Sequence, residues 1–394
     1  MMNIDPATPA LRLLESAPGA EVTLAGRQYL YFAGTGYLGL QGHPRLVAAS
    51  RDAAETYGIH TATSRAGYGT SPPVAEVERL GAQWLNSESA LYLISGYAGN
   101  FAVAAAIAGD YDLVLIDEHA HDCLREAVRC LAPLSVPPLV FRHTDTQHVA
   151  ELLAKHAGSG LKPLLLSDGV FAVSGDLAPI GDYLDLLARY PGAGLLVDDA
   201  HGLGVLGTHG RGSLELAGVD PRKINVEAAE ARGGPRVFHT TTLSKAVGGQ
   251  GGLIAGSRAF LERIRCASGW LRGASAPASP VAGATAEGLK MMIAEPELRE
   301  RLTANVTMLR SSLAELGLAV PMTPAPVIGI RLESANRMAQ VRERLETEGI
   351  LIAHSRDYSG AGPDGMLRIA VFATHTPEMI DRLVAALGRA LTKE

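Results

Sequence analysis

The feature that most constrains this chain is a repeated unit of short apolar run, polar or glycine-rich turn and helical stretch between about residues 92 and 254. The runs read LYLI before SGYAGN, LVLID before EHAHD, then PLLLSDGVF, GLLVDDAHG and VFHTTTLSKAVGG. Strands that are apolar along their whole length are covered on both faces. The pattern therefore predicts an α/β fold with a largely parallel, doubly wound sheet. Ligands of such sheets collect at the carboxyl ends of the strands. Here His, Asp, Ser and Lys are concentrated at those ends.

The flanks differ in rhythm. Residues 44–57 and 74–85 read as helices, and 280–316 is rich in Ala, Leu and Glu. Residues 327–332, 350–353 and 366–372 read as strands, and 377–391 as an amphipathic helix. The expected organisation is an N-terminal arm over 1–50 that contributes to a smaller domain, a large domain over 51–280, and a smaller α+β domain over 281–394. A length of 394 residues is ample for such cores.

Charge and cysteine usage narrow the function classes. The 35 Lys and Arg against 41 Asp and Glu leave a net charge of −6 without blocks of one sign, so nucleic acid is not an expected partner. Cys123, Cys130 and Cys266 form no Cys-x-x-Cys pair, which suits a reducing compartment and predicts no structural metal. The N-terminal stretch lacks a basic leader and an apolar core. The longest apolar stretch, 101–108, is far short of the ~20 residues of a membrane span. A cytoplasmic location is expected.

Gly202, Gly204 and Gly207 match G-x-G-x-x-G, yet THGRGS follows where a dinucleotide fingerprint must open a helix, so the match carries no nucleotide site. Lys245 sits in HTTTLSKAVGG, after a run of hydroxyl residues and before close glycines. A lone lysine is ordinarily solvated, but this setting suits a partly desolvated amine able to form a Schiff base. Asp198, Asp199 and His201 end a buried run; alone they read as hydrogen-bonded strand-end groups. The turn at Ser95, Gly96 and Tyr97 precedes a helical stretch at 101–108, and its backbone N–H groups suit either a phosphate or a plain βα turn. His119 and His121 would share one face of an extended segment, a weak metal signal and equally a ring-stacking one.

Together and in this order, these residues resemble the α-oxoamine synthase family of fold-type I pyridoxal phosphate enzymes. The similarity runs from YFAGTGYLGL at Tyr31 to THTPEMIDRL at 374–383, and its strongest stretches are VDDAHGLGVLGTHGRGS, SDGVFAVSGDLAPIGDY, ISGYAGNFAV and TLSKAVGGQGG. It implies an aspartate aminotransferase-like fold and pyridoxal 5'-phosphate bound covalently at Lys245. It further implies Asp198 on the pyridine nitrogen, His201 on the phenolic oxygen and His121 stacked on the ring. Ser95, Gly96, Tyr97 and Thr242 correspond to the phosphate cradle, and Ser275 to the residue that reaches the phosphate from a neighbouring subunit of a homodimer. Arg368 corresponds to the arginine that clamps the substrate carboxylate. The implied reaction condenses an amino acid with an acyl-CoA or other acyl thioester. An aminotransferase, decarboxylase or aldolase-type enzyme on the same fold is an alternative, as is a catalytically idle partner subunit.

Departures from the family pattern cluster on the substrate side. Thr35 and Gly36 stand where the family has an Asn-Asp type pair, Val74 replaces a histidine, and Ala172 replaces a serine. Asp168 replaces a glutamate, Ser174 an aspartate and Ala276 a threonine. SRDYSGAGPDG takes the place of a Pro-Thr-Val-Pro segment.

Overall fold

The computed structural model of the chain describes residues 12–392 apart from 136, 159, 230, 232 and 270. The first 11 residues of the arm expected over 1–50 lie outside the described residues.

Among the described residues the central sheet has seven strands: β3 (Ser89–Leu93), β4 (Leu113–Asp117), β5 (Leu139–Phe141), β6 (Pro163–Asp168), β7 (Gly194–Asp198), β8 (Arg236–Thr242) and β9 (Gly252–Gly256). Their order is β3-β9-β8-β7-β6-β4-β5. The pairs from β5 to β8 are parallel, whereas β9 runs antiparallel to both β8 and β3. The apolar periodicity had marked β3, β4, β6, β7 and β8. It missed β5, which is three residues long, and β9, whose GLIAG is short and bounded by glycines.

Side chains on one face of this sheet, including Leu166, Leu196 and Phe238, pack with Phe260 and Ile264. On the other face, Leu165, Leu195 and Val197 pack with Val149, Leu153 and Leu187. Burial on both faces is the reason these strands lack alternation. Each fully buried Val, Leu or Phe stabilises the fold by roughly 1.5–3 kcal/mol.

Two small sheets flank the large one. In the first, β1 (Glu21–Leu24) and β2 (Arg27–Tyr31) form a hairpin that β11 (Ile350–Leu351) extends in parallel. The second has the order β10-β13-β12, with β10 (Val327–Ile330), β13 (Met366–Ala370) and β12 (Ala353–Ser355) antiparallel. The single strand expected over 350–353 is thus two strands in different sheets. Phe32 joins these sheets, donating its N–H to Leu351 and accepting from Ala370.

Residues 44–57 form helix α1 (Pro44–Tyr57), and α2 (Pro72–Trp84) begins two residues earlier than expected because its two prolines suit a first turn that needs no N–H partners. The stretch 280–316 is two helices, Ser279–Ala294 and Glu297–Glu315, interrupted at Glu295 by the following Pro296. The expected boundary at 281 falls in the first turn of Ser279–Ala294. That helix packs on α1 and α2, with Gly283 close enough that a Cβ would meet Ala49 O and Ala53 Cβ at 2.7 Å.

The 169–178 loop after β6 docks on β10. Gly329 donates to Ser174 O at 3.0 Å, and Gly175 adopts a φ of +75° with its missing Cβ only 1.9 Å from Val327 O. A side chain there meets rigid backbone in a left-handed conformation. Gly175→Ala is expected to destabilise the protein by about 1–3 kcal/mol, the usual cost of overpacking. A chemical denaturation curve that overlays the wild type would contradict this docking.

Candidate active site

Because β4, β6, β7 and β8 run parallel, their carboxyl ends bring Asp117, Asp168, Asp198 and Thr242 to one edge of the sheet. The chain leaves β4 for β5 on one side and returns to β6 on the other, so β4 and β6 flank the switch point where such sheets leave a crevice. A cavity of about 170 Å³ opens there. Every expected cofactor residue except Ser275 lines it: Ser95, Gly96, Tyr97, His121, Asp198, His201, Thr242 and Lys245.

Asp198 is buried and held by three donors. Asn100 Nδ2 lies 2.6 Å and Cys123 Sγ 3.1 Å from Oδ2, and the Ala200 N–H lies 3.0 Å from Oδ1. Asn100 is oriented in turn by Thr240 Oγ1, which donates to its Oδ1 at 2.5 Å. Burial and the neighbouring Asp198 push the Cys123 thiol far above its ordinary range, so it remains a donor. Asp168 pairs with Asp198 in register across β6 and β7 and accepts the His121 N–H at 2.8 Å. Burial, then the charge of Asp198, raise the Asp168 carboxyl well above the usual carboxylate range.

Lys245 Nζ lies 2.9 Å from His201 Nε2, and Tyr37 Oη lies 2.5 Å from His201 Nδ1. Burial brings the lysine down to about 8 against the opposing pull of Asp198 and Asp168. Burial and the Lys245 charge keep His201 well below the ordinary imidazole value. Tyr37 is fully buried and desolvation lifts its phenol to about 12, although Arg368 beside it pulls the other way.

The expected helix at 101–108 begins earlier, as α3 (Tyr97–Ala106), so Gly96 is its cap and its first turn, where the Tyr97 N–H donates to Ser95 Oγ at 3.2 Å, borders the cavity. A Cβ on Gly96 would meet Thr242 Cβ at 2.7 Å, so only glycine lets this turn close on the end of β8. Thr242 and Ser244 hydroxyls lie 2.8 Å apart at the same place. Helix N–H groups and two hydroxyls make a seat for a phosphate-sized anion. The Tyr97 side chain turns away to Glu126, 2.8 Å from its carboxylate.

His119 and His121 do not share a face, because the chain turns into helix α4 (Asp122–Ala127) at His121. His121 caps that helix through Cys123 N–H and lies edge-on to Tyr97, with burial lowering its pKa. His119 instead stacks on His143 at 4.1 Å. Burial opposes a charge on His143, but hydrogen bonds to Asp117 and Asp176 outweigh it and bring the imidazole up to about 9. No cluster among the described residues has the makings of a metal site.

Arg368 projects from β13 and is buried. Its Nε donates to Ala172 O at 2.7 Å and its Nη1 to Ala33 O and Gly34 O at 3.1 Å, while Nη2 is buried with no hydrogen-bond partner among the described residues. Ala172 therefore acts through its carbonyl as an anchor for Arg368. Thr35 lines an adjoining cavity of about 260 Å³ beside Tyr31, Phe372 and Ser244 rather than the one holding Lys245. Ser275 is exposed, bridges to Ser64 and stands apart from that cavity. The G-x-G-x-x-G glycines lie in turns before the helix Ser213–Leu216, where a Cβ on Gly202 would meet Asp199 Oδ1 at 2.0 Å.

Sequence reasoning missed Tyr37, Asn100, Cys123 and Ser244 as site residues. Asn100 closes the SGYAGN turn and Cys123 lies two residues from His121, so proximity to known motifs was the available signal. Tyr37 had none, since its partner is 164 residues away.

A family model described as aminotransferase class I and II matches residues 29–387. The chain is 35% identical over 383 residues to an 8-amino-7-oxononanoate synthase of Alkalilimnicola ehrlichii, covering 96% of this chain and 93% of the relative. It is 35% identical over 371 residues to an 8-amino-7-oxononanoate synthase of Methylobacterium nodulans, covering 94% and 89%. Its fold superposes on a serine palmitoyltransferase from S. paucimobilis with a TM-score of 0.86 at 22% identity, covering 97% of this chain and 92% of that one. The partly buried lysine, the buried carboxylate and the buried histidine at the strand ends and these matches agree: the chain belongs to the aminotransferase class I and II family and, within it, to the α-oxoamine synthases, fold-type I pyridoxal phosphate enzymes.

Proposed function

We propose that this chain is a pyridoxal phosphate-dependent C-acyltransferase that condenses an amino acid with an acyl-CoA or other acyl thioester, releasing the thiol and carbon dioxide. One observation carries the reading. A partly buried amine at Lys245 and a buried, three-donor carboxylate at Asp198 face one cavity beside Arg368, a guanidinium that among the described residues keeps an unpaired buried donor and has no carboxylate partner. The relatives named 8-amino-7-oxononanoate synthase support it.

The residues fit the cofactor. The helix-opening turn at Ser95, Gly96 and Tyr97, which closes on Thr242 only because Gly96 lacks a Cβ, suits its phosphate together with the Thr242 hydroxyl. When bound, pyridoxal phosphate supplies an electron sink for a carbanion at the amino acid Cα. Asp198, held in place by Asn100, Cys123 and the Ala200 N–H, would pair with the ring nitrogen, while His201 would donate toward the phenolic oxygen and His121 would stack on the ring. Lys245 would hold the cofactor through its amine and would serve as the base for the substrate Cα proton. An amine brought to about 8 keeps a usable unprotonated fraction near neutral pH. Arg368 Nη2 binds the substrate carboxylate, a charge-assisted contact that its planar fork suits.

We further propose a homodimer in the cytoplasm, with a smaller domain built from the arm before residue 50 and residues 281–394 around the domain 51–280. Ser275 stands exposed and lines one small cavity with the exposed apolar side chain of Ile94, as expected of a surface offered to a second subunit. The three cysteines are free thiols, which suits a reducing compartment.

Holoenzyme titrated with amino acids, each with and without short- and long-chain acyl thioesters, should change its visible spectrum with one amino acid and release CoA only when a thioester is added. A spectrum that responds to amino acids while every thioester is left intact would refute acyl transfer. Lys245→Ala should abolish the absorbance of the lysine-linked cofactor, and Asp198→Asn should retain cofactor yet lose most turnover; near-normal rates in either variant would contradict these roles. Arg368→Ala should weaken amino acid binding by roughly 1.5–3 kcal/mol, the worth of a hydrogen bond to a charged group. Unchanged affinity in a spectral titration would remove Arg368 from the substrate site.

A further inference from the structure

We propose that Tyr37 is a positioning residue that fixes the tautomer of His201, so that the imidazole always presents an Nε2–H to Lys245 and to whatever replaces its amine. The geometry is a line of three groups: Tyr37 Oη, 2.5 Å from Nδ1 of His201, whose Nε2 is 2.9 Å from Lys245 Nζ. A neutral imidazole has one N–H and one lone pair, and the group facing each nitrogen decides which is which. Tyr37 is buried beside Arg368, which can only donate, so among the described residues His201 Nδ1 is the acceptor within reach of the phenol proton. The proton of His201 is thereby driven to Nε2. Nε2 then meets Lys245 as a donor, which favours the free amine over the ammonium.

Tyr37 is placed by contacts far from the sheet. Its carbonyl accepts the Ala373 N–H at 2.7 Å, and Gly39, at a φ of +71°, turns the chain so tightly that a Cβ would meet Thr374 Cγ2 at 2.4 Å. Turn 35–40 is thus clamped on the segment that follows β13, the strand carrying Arg368. One clamp sets the carboxylate seat and the phenol together. The charged and titratable groups acting on Lys245 are Asp168 from β6, Asp198 from β7, His121 and Cys123 at the start of α4, Arg368 from β13 and His201 itself. Tyr37 is uncharged and acts only through His201.

The inference deepens the reading of Lys245 as the reactive amine and is testable apart from it. Full-length protein labelled with 15N-histidine, with and without pyridoxal phosphate, is compared with Tyr37→Phe by long-range proton–nitrogen correlation; His201→Gln identifies the His201 signals. In the wild type Nδ1 should be unprotonated and Nε2 protonated, and in Tyr37→Phe an Nδ1–H population should emerge. Competitive acetylation of the cofactor-free chain over a pH series, read by mass spectrometry on the Lys245 peptide, should show the midpoint moving upward by about 1 pH unit in Tyr37→Phe. That direction follows because an Nε2 lone pair stabilises the ammonium form, by the worth of one hydrogen bond to a charged group. An Nδ1–H in the wild type overturns the proposal whatever the variant does. So does a Tyr37→Phe protein with unchanged tautomer and unchanged midpoint. Failure of the wild type to develop a cofactor band while the tautomer is as stated would instead defeat the cofactor reading and leave Tyr37 in its role.

Discussion

Two carboxyl groups placed side by side in the interior organise the rest of this molecule. The parallel register of β6 and β7 sets Asp168 directly beside Asp198, at a depth where neither is freely hydrated. Two like charges so placed cannot both persist without compensation. The structure resolves this asymmetrically. Asp198 receives Asn100, Cys123 and a backbone N–H, while Asp168 receives one backbone N–H and is pushed toward its protonated form. Lys245 supplies the nearby positive charge, itself weakened by burial.

From that centre the dependence spreads outward in shells. Asn100 is useful only because Thr240 orients it, and Cys123 only because the chain turns into α4 at His121. The small sheets bring the remaining groups from far along the chain. Arg368 enters from β13, Tyr37 from the segment after β2, and the docking of the 169–178 loop on β10 places Ala172 O under the guanidinium. Carbonyl oxygens absorb part of the arginine's hydrogen-bonding capacity, and Nη2 is left over. An unpaired donor on a buried cation is costly unless a ligand completes it.

Much of this was legible in the sequence because the informative features are local. A strand buried on both faces must read as an unbroken apolar run, and the residue that ends it lies at the sheet edge; Asp198 was found this way, Lys245 from the hydroxyl- and glycine-rich turn that follows such a run, and Thr242 only through the family resemblance. Glycine at 96 was legible as a turn residue, although its real constraint is the side chain of Thr242, 146 positions later in the chain. Antiparallel β9 and the division of 350–353 between two sheets were not legible, since both depend on which neighbour is available for pairing. The histidines at 119 and 121 illustrate the same limit: a pattern of two suggests a shared face, and the turn into α4 at His121 sends one to Asp117's neighbour His143 and the other to Asp198's neighbour Cys123.

The sequence by itself determined the sheet, its edge and the residue types that a carbanion-stabilising site requires, because periodicity and turn chemistry act over a few residues. Only the tertiary structure decided which donors satisfy Asp198, which oxygen atoms hold Arg368, and that Tyr37 faces His201. Those pairings join residues up to 335 positions apart. Burial makes each of them obligatory, since a buried polar group must find its partner from whatever the fold brings within hydrogen-bond reach.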